Sequence, residues 1–388
     1  MKRIIKSELL EKFENKFKCK AENYITCGGR FEVIGNHTDH NHGVCITGTC
    51  NLCIAAAVNK TDDETVHIKS HGYRDIIFNV NKTKLGKTDL GTSKGIVKGV
   101  INYLKEHGYK VGGFSAYIDS EVPQGSGLSS SAAYELLIGR IINHLYNEDS
   151  IDKLVLAKAG QYSENKYFGK KSGLLDQIGV SYGGLNVIDF GNIDNPNIAR
   201  IEFPFDDLHF VLINTGGSHA NLSSYYSAIP ESMYKVAEHF GKKYLRDIPE
   251  KEFAEELLEE KQSGHDHFDF VDRKRAIHFY EENKRVVNCL KAIKNKDEEL
   301  FLEQIKGSQH SSQNNLLNTQ VDNQYEGSPQ EAIDYAQALL PKGAVRIHGG
   351  GFAGTILAFV KTEELNYFMK KMKQRYGKDM VYELTLKD

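Results

Sequence analysis

An α+β fold in two lobes is what this sequence predicts, on three observations. The chain has 388 residues, enough for two hydrophobic cores at about 150 residues each. Short apolar runs that read as strands are mixed with longer stretches at helical spacing. A polar stretch, "DNPNIARIEFPFDD", interrupts this pattern near 195–208 and places the boundary between a lobe at 1–205 and a lobe at 206–388.

The elements follow in order. The opening "MKRIIKSELLEKFENKFK" carries charge throughout and reads as an amphipathic helix with Ile4, Leu9, Leu10 and Phe13 on one side. Without an apolar core it is not a secretory leader. "CIAAAV", "TVHIKS" and "DIIFNV" read as strands, "SKGIVKGVINYLKEHG" as a helix stopped by Gly108, and "GGFSAYIDSEVP" as a strand entering a turn. A Gly/Ser turn then opens the long helix of "QGSGLSSSAAYELLIGRIINHLY". A further helix, "SIDKLVLAKAGQYSENKYFG", ends at Gly169, and "GGLNVIDF" and "HFVLINTG" are strands. Residues Asp272 to Lys306 are strongly helical, with i, i+4 charge pairs. The end reads as helix "SPQEAIDYAQALL", strand "GAVRIHG", a glycine turn, strand "TILAFV", helix "TEELNYFMKKMKQRYG" and strand "MVYELTL".

Composition narrows the function. With 49 basic and 52 acidic residues the formal charge is −3, so no basic field invites nucleic acid. Charged residues make up 26% and hydrophobic ones 40%, a soluble globular balance with no apolar run long enough to span a membrane. Of the six cysteines, Cys50 and Cys53 form one C-x-x-C with no second pair to complete a zinc site, so buried reduced thiols and a cytoplasmic setting are expected.

Three segments carry chemistry. "PQGSGLSSSAAYE" sets Gly125 and Gly127 before Ser129, Ser130 and Ser131 at a helix entry. Unpaired N–H groups and the helix dipole favour phosphate there, although a simple Ser cap is the bland alternative. "HGGGFAGTILAFV" contains a G-x-G-x-x-G from Gly349 to Gly354. It joins two strands and opens no helix, which excludes a dinucleotide fingerprint and leaves a glycine turn beside a substrate or a tight hairpin. "GRFEVIGNHTDHNHG" gathers His37, Asp39, His40 and His42 near Arg30, as either a metal cage or a set of groups around a polar substrate. "GLLDQIGVSYGG" belongs with it and presents Asp176 at a polar tip after a helix. No Walker-type loop exists.

Together these segments resemble the GHMP kinases, and among them the galactokinase family, whose motifs are "GRxNLIGEHTDYNxG", "PxGxGLSSSAA", "GIMDQ" and "GGGFGG". The counterparts here, "GRFEVIGNHTDHNHG", "PQGSGLSSSAA", "GLLDQ" and "GGGFAG", occur in the same order over nearly the whole chain. The resemblance implies a two-lobed GHMP kinase fold, its N-terminal lobe like ribosomal protein S5 domain 2 and its C-terminal lobe ferredoxin-like. It implies ATP-dependent phosphorylation of the anomeric hydroxyl of galactose, with ATP and Mg2+ as cofactors and a small-molecule sugar as partner. The protein would be a monomer or weak homo-oligomer, with no nucleic acid or membrane partner. Carried over by position, Asp176 is the catalytic aspartate and Arg30 its partner. Gly125, Ser126, Gly127, Leu128, Ser129, Ser130, Ser131 and Ala132 bind ATP, and Ser130 and Glu164 bind the metal. Asn36, His37, Asp39, Gly173 and Tyr226 bind the sugar, which makes "NHTDHNH" a sugar-reading turn and leaves His40 and His42 structural.

The pattern departs from the family at three places. Asn36 stands where the family has Glu, "CGG" stands before Arg30 in place of Ala-Pro-Gly, and Ala353 replaces a glycine. A neutral amide at 36 would remove repulsion toward a C6 carboxylate. Galacturonate is therefore an alternative substrate, and a non-catalytic galactokinase-like sensor an alternative role.

Overall fold

The computed structural model describes residues 3–123, 125–170, 172–216, 222–322 and 324–388. Helix α1 (Lys6–Phe17) buries Leu9 and Phe13 and ends where Lys18 turns left-handed. Strands β1 (Asn23–Ile34) and β2 (Val44–Lys60) then pair antiparallel around the turn that carries the His-rich motif. The central run "CIAAAV" is apolar throughout because both faces of β2 are covered: Ala56 and Val58 face the main core, and Ala55 and Ala57 lie under α1.

Strands β3 (Thr65–Ser70) and β4 (Ile76–Asn79), helix α2 (Ser93–Glu106), strand β5 (Phe114–Ser120) and helix α3 (Ser130–Asn147) come next. Helix α4 (Lys153–Ser163) runs on into a π turn, Glu164–Phe168, that Gly169 ends in a left-handed conformation. Helix α5 (Leu175–Ser181) and strands β6 (Leu185–Asp189) and β7 (Asn197–Ile201) finish a seven-stranded sheet of order β4-β3-β5-β2-β6-β7, with β1 also on β2.

The second sheet starts at β8 (Leu208–Asn214). Five helices follow: α6 (Ser223–His239), α7 (Glu250–Ser263), α8 (Phe270–Asn295), α9 (Glu298–Ser311) and α10 (Pro329–Ala338). A second π turn, Ser312–Leu316, extends α9. Strands β9 (Ala344–His348) and β10 (Thr355–Lys361), helix α11 (Thr362–Tyr376) and strand β11 (Val381–Leu384) complete the chain in the order β11-β8-β10-β9. That is the ferredoxin-like arrangement with five helices in its first crossover.

Several expectations need amendment. The helical region 272–306 is two helices, because Lys296 turns left-handed and Asp297 caps a new start. The polar stretch near 195–208 contains β7, an edge strand of mostly exposed residues. Strand β1 and helices α6 and α7 have no counterpart in the sequence reading: Gly28 and Gly29 interrupt the β1 alternation, and α7 buries only Phe253 and Glu260. Five of the six cysteines are buried free thiols; Cys19 is exposed. None of the described helices is long and apolar enough to cross a membrane.

The two sheets share one apolar cluster, in which Phe31 of β1 packs on Phe210 of β8 with ring centres 4.9 Å apart. Within this contact lies an ion pair. Arg346 of β9, 0% exposed, donates to the Glu32 carboxylate of β1, 3% exposed, at 3.1 Å, and its other amino group bonds the Glu32 and Val33 carbonyls. Losing one partner leaves a buried charge alone. Arg346→Met should therefore cost about 3–5 kcal/mol of stability in urea unfolding; a loss below about 1 kcal/mol would show that the pair does not join the sheets.

Candidate active site

The site is built around Arg30. Its Nε donates to Asp176 Oδ1 at 2.9 Å, Nη2 bonds the same oxygen, and Nη1 donates to the Gly127 carbonyl at 3.2 Å. One buried guanidinium thus joins the first turn of α5 to the Gly/Ser loop. Asp176 is no solvated turn residue: it lies in the first turn of α5, and its side chain is 29% exposed. Burial pushes its pKa up, but Arg30 and Lys170 outweigh this and hold it below the usual carboxylate range.

The loop has the shape an anion site needs. Gly125 and Gly127 both have φ near +69°, and a Cβ on Gly127 would lie 2.5 Å from Thr355 Oγ1 and 2.8 Å from His348 Nδ1. Ser126 closes the turn by donating to the Pro123 carbonyl at 2.7 Å, while Leu128 is anchored in the core. Ser129 occupies the N-cap of α3 in a left-handed conformation, and its side chain makes no capping bond. The bland Ser-cap reading therefore fails here, and the first-turn N–H groups, with Ser130, Ser131 and Ala132, are left to a ligand.

Glu164, 2% exposed, opens the π turn after α4. Its Oε1 accepts from Ser131 Oγ at 3.2 Å and from Lys170 Nζ at 3.0 Å. Ser131, one residue beyond Ser130 in the first turn of α3, is the serine whose hydroxyl bonds this carboxylate. Gln177 Nε2 bridges Glu164 Oε2 and Glu135 Oε2 at 3.1 and 3.0 Å. Burial and the nearby Glu164 raise the Glu135 pKa well above the usual range. Lys170 and Gln177 are absent from the motif reading; "GLLDQ" contains the glutamine, but nothing local marks its partners.

The His-rich turn faces the late glycine turn. His37, left-handed at φ 58°, donates from Nε2 to the Gly350 carbonyl at 3.0 Å. Its Nδ1 faces His40 Nε2 at 3.4 Å, and His40 Nδ1 accepts from Asn41 at 3.1 Å. Burial lowers the pKa of both rings, so each is neutral. These nitrogens are committed within the protein and do not converge as metal ligands. His37, expected at the sugar, has its ring bonded to the late glycine turn. His42 stacks on Tyr244 at 3.8 Å. Asp39 lies against Gly173, where a Cβ would meet Asp39 Oδ2 at 2.8 Å. Burial, then Glu32 and Asp176, raise the Asp39 pKa to about 6. Tyr226 of α6 donates to the Gly351 carbonyl at 3.0 Å and sets its ring against Phe352. The glycine turn therefore buttresses the His-rich turn and Tyr226.

Asn36 departs most from expectation. It is 1% exposed, and its Nδ2 donates to Glu32 Oε1 at 3.1 Å and the Gly349 carbonyl at 2.7 Å. Its Oδ1 accepts from Asn318 at 2.9 Å. An amide so engaged is held within the protein by the Glu32 carboxylate, the Gly349 carbonyl and Asn318. Glu32 stands where the family motif has Asn, so the amide and the carboxylate have exchanged places and touch each other. That second departure was visible in "GRFEVIGN". Behind the turn, the buried Glu282 carboxylate accepts from the Gly35 and Asn36 N–H groups at 3.1 and 3.3 Å and from Arg285 at 2.8 Å. Burial raises its pKa, but Arg285 and His278 overcome this and bring it to about 2. His278 donates to the Asn36 carbonyl at 2.9 Å.

Comparison with known proteins follows this geometry. The GHMP kinases N terminal domain family matches residues 95–184, and the galactokinase galactose-binding signature matches residues 11–60. A galactokinase of Lactobacillus helveticus is 30% identical over 394 aligned residues, covering 99% of this chain and 97% of the relative. The crystal structure of Lactococcus lactis galactokinase complexed with galactose superposes with a TM-score of 0.81 at 25% identity, over 98% of this chain and 97% of that one. The Methanococcus jannaschii mevalonate kinase shares the fold at TM-score 0.67 and 15% identity, covering 94% of this chain and 98% of its own.

The buried histidines set a pH response. Burial lowers the His278 pKa to about 4 from 6.5. The unfolded chain then binds the extra proton first, so this contribution is complete above pH 6.5 and is lost as pH falls toward 4, on the order of 3 kcal/mol in all. Asp39, raised to about 6, acts in the opposite sense as pH falls from 6 to 3.8. A His278→Gln variant isolates the effect: its stability should fall less steeply than wild type between pH 6.5 and 4 in urea titrations, and equal slopes would refute the assignment.

Proposed function

The chain belongs to the galactokinase family, and on that premise we propose that it transfers the γ-phosphoryl group of ATP to the anomeric hydroxyl of galactose. The observation that carries this reading is the Arg30–Asp176 pair, bonded to the phosphate-loop backbone through Gly127 and flanked by the Asp39–Gly173 contact. Phosphoryl transfer needs positioned groups and charge neutralisation more than covalent help from the protein. Asp176 orients the sugar hydroxyl. As the new O–P bond forms and the bond to ADP breaks, Asp176 takes the hydroxyl proton. Its lowered pKa suits a group that accepts the proton only once that oxygen is losing it to bond formation. Arg30 keeps Asp176 ionised and stabilises charge in the transition state. Gly125 to Ala132 cradle the phosphates through the start of α3.

The oxygen donors fit magnesium: the buried Glu164 carboxylate and the Ser131 hydroxyl it touches, with Ser130 beside them, are hard ligands of the kind this ion prefers. When bound, the ion neutralises phosphate charge; Lys170, whose ammonium lies between Glu164 and Asp176 in its electrostatic influence, adds to that field.

On the sugar side we assign Asp39, Gly173 and Tyr226 to the pocket, and Glu32 in place of Asn36 as its charged acceptor. Glu32 bonds Asn36 directly and lies two residues from Arg30 on the same strand. A uronate would still meet a carboxylate here, so galactose is favoured over galacturonate. The lobes divide near 205, where the first sheet ends at Ile201 and the second begins at Leu208.

Purified protein given ATP, magnesium and a panel of sugars should release ADP fastest with galactose; activity confined to a non-sugar or to a uronate would refute the reading. Asp176→Asn should lower turnover by about 10²–10⁴-fold and Arg30→Ala by about 10²–10³-fold, with circular dichroism confirming the fold. Near-normal turnover in either variant would remove that residue from its role. Asn36→Glu alone sets a second carboxylate against Glu32 and should lower both Tm and kcat/KM for galactose. The double exchange Glu32→Asn with Asn36→Glu should recover a large part of that loss. An improved single variant and a worse double one would show that the two positions are not coupled.

A further inference from the structure

His239, Glu256 and His267 form a cluster that phosphoryl transfer does not use. His239 is the last residue of α6, Glu256 lies within α7, and His267 lies in the connection to α8. His239 Nε2 and His267 Nδ1 converge on a single oxygen, Glu256 Oε1, at 2.8 and 2.5 Å. The three ligand atoms lie within 4.8 Å of one another, and this is the one such trio of His, Cys, Asp or Glu among the described residues. The two imidazoles stack with centres 5.7 Å apart and planes 24° from parallel. His239 also packs edge-on against Phe240 and Phe268, which stiffens the arrangement from behind. The side chains are 38%, 18% and 29% exposed in chain order, so the front is open to solvent.

We propose that His239, Glu256 and His267 bind one divalent transition-metal ion of the zinc class, clamping α6, α7 and the start of α8 together. Two imidazole nitrogens and one carboxylate oxygen suit zinc, while magnesium and calcium want oxygen alone. The open side leaves the fourth position to water. Ligand atoms now 2.5–2.8 Å apart must move to roughly 3.3–3.6 Å to surround a tetrahedral ion at about 2.0–2.2 Å, a shift within reach of partly exposed side chains. Each ring nitrogen gives up its hydrogen to coordinate, and the proton moves through solvent to the other nitrogen of the same ring. The clamp has a structural use, since α7 buries so little of its own surface. It is also separate from the kinase site: His239 lies 13 residues along α6 from Tyr226, about 20 Å at the helical rise.

The test is calorimetric titration of the untagged full-length chain with zinc chloride, after chelator dialysis and in magnesium buffer. One ion should bind, and Tm should rise by about 3 °C at a hundredfold excess over Kd. Glu256→Gln, which keeps a hydrogen-bond acceptor for both rings, and His267→Ala should each weaken binding by more than about 100-fold. Cys19→Ser, which removes the one exposed thiol, should leave binding unchanged. No zinc uptake by wild type, or equal uptake by wild type and the Glu256→Gln/His267→Ala variant, overturns the proposal. Kinase activity does not enter the readout, so failure here is distinguishable from failure of the kinase reading.

Discussion

The buried ion pair between Arg346 and Glu32 is the constraint on which the site depends. It binds β9, the edge strand of one sheet, to β1 of the other, two residues before the His-rich turn leaves β1. Burying two charges is costly, and here both amino groups of the Arg346 guanidinium are engaged, one by the Glu32 carboxylate and the other by two β1 carbonyls, while its Nε has no partner among the described residues. The same pair fixes which face of β1 carries Arg30. With Glu32 directed at Arg346, Arg30, two residues away on the same strand face, is placed for Asp176 and the phosphate loop.

Around that pair the protein concentrates unusual backbone. His37, Ser129 and Phe352 are left-handed without being glycine, and all three lie in turns that meet at the site. Such conformations persist only where the surroundings hold them. His37 is held by the Gly350 carbonyl, the turn behind it by Glu282, and Phe352 by its N–H bond to the Asn318 carbonyl. Two π turns contribute in the same way. One delivers Glu164, and the other ends just before Asn318, which reaches both Asn36 and Gly350.

The exchange between positions 32 and 36 shows how a motif misleads when read one column at a time. Asn36 alone suggests a pocket that has lost a charge. Beside it, 3.1 Å away, the Glu32 carboxylate stands four residues earlier in the chain and in contact with the amide. Asn318 and the Gly349 carbonyl then complete the amide, so each of its atoms has a use inside the protein.

Sequence alone determined the class of fold and most of its strands and helices, and it singled out Arg30, Asp176 and the Gly125–Ala132 loop, which the fold brings into contact. Those features depend on local chemistry: periodicity, glycine conformations and serines at a helix start are written in neighbouring residues. Only the tertiary structure decided that Ser131 meets Glu164, that Asn36 bonds Glu32, and that Glu282, His278 and Asn318 support the turn. Each of those contacts joins residues far apart in the chain or depends on the rotation of a helix about its axis. A bond across 246 residues, such as Asn36 N–H to Glu282, leaves no trace in any local pattern, because nothing in either segment specifies the other until the two sheets have packed.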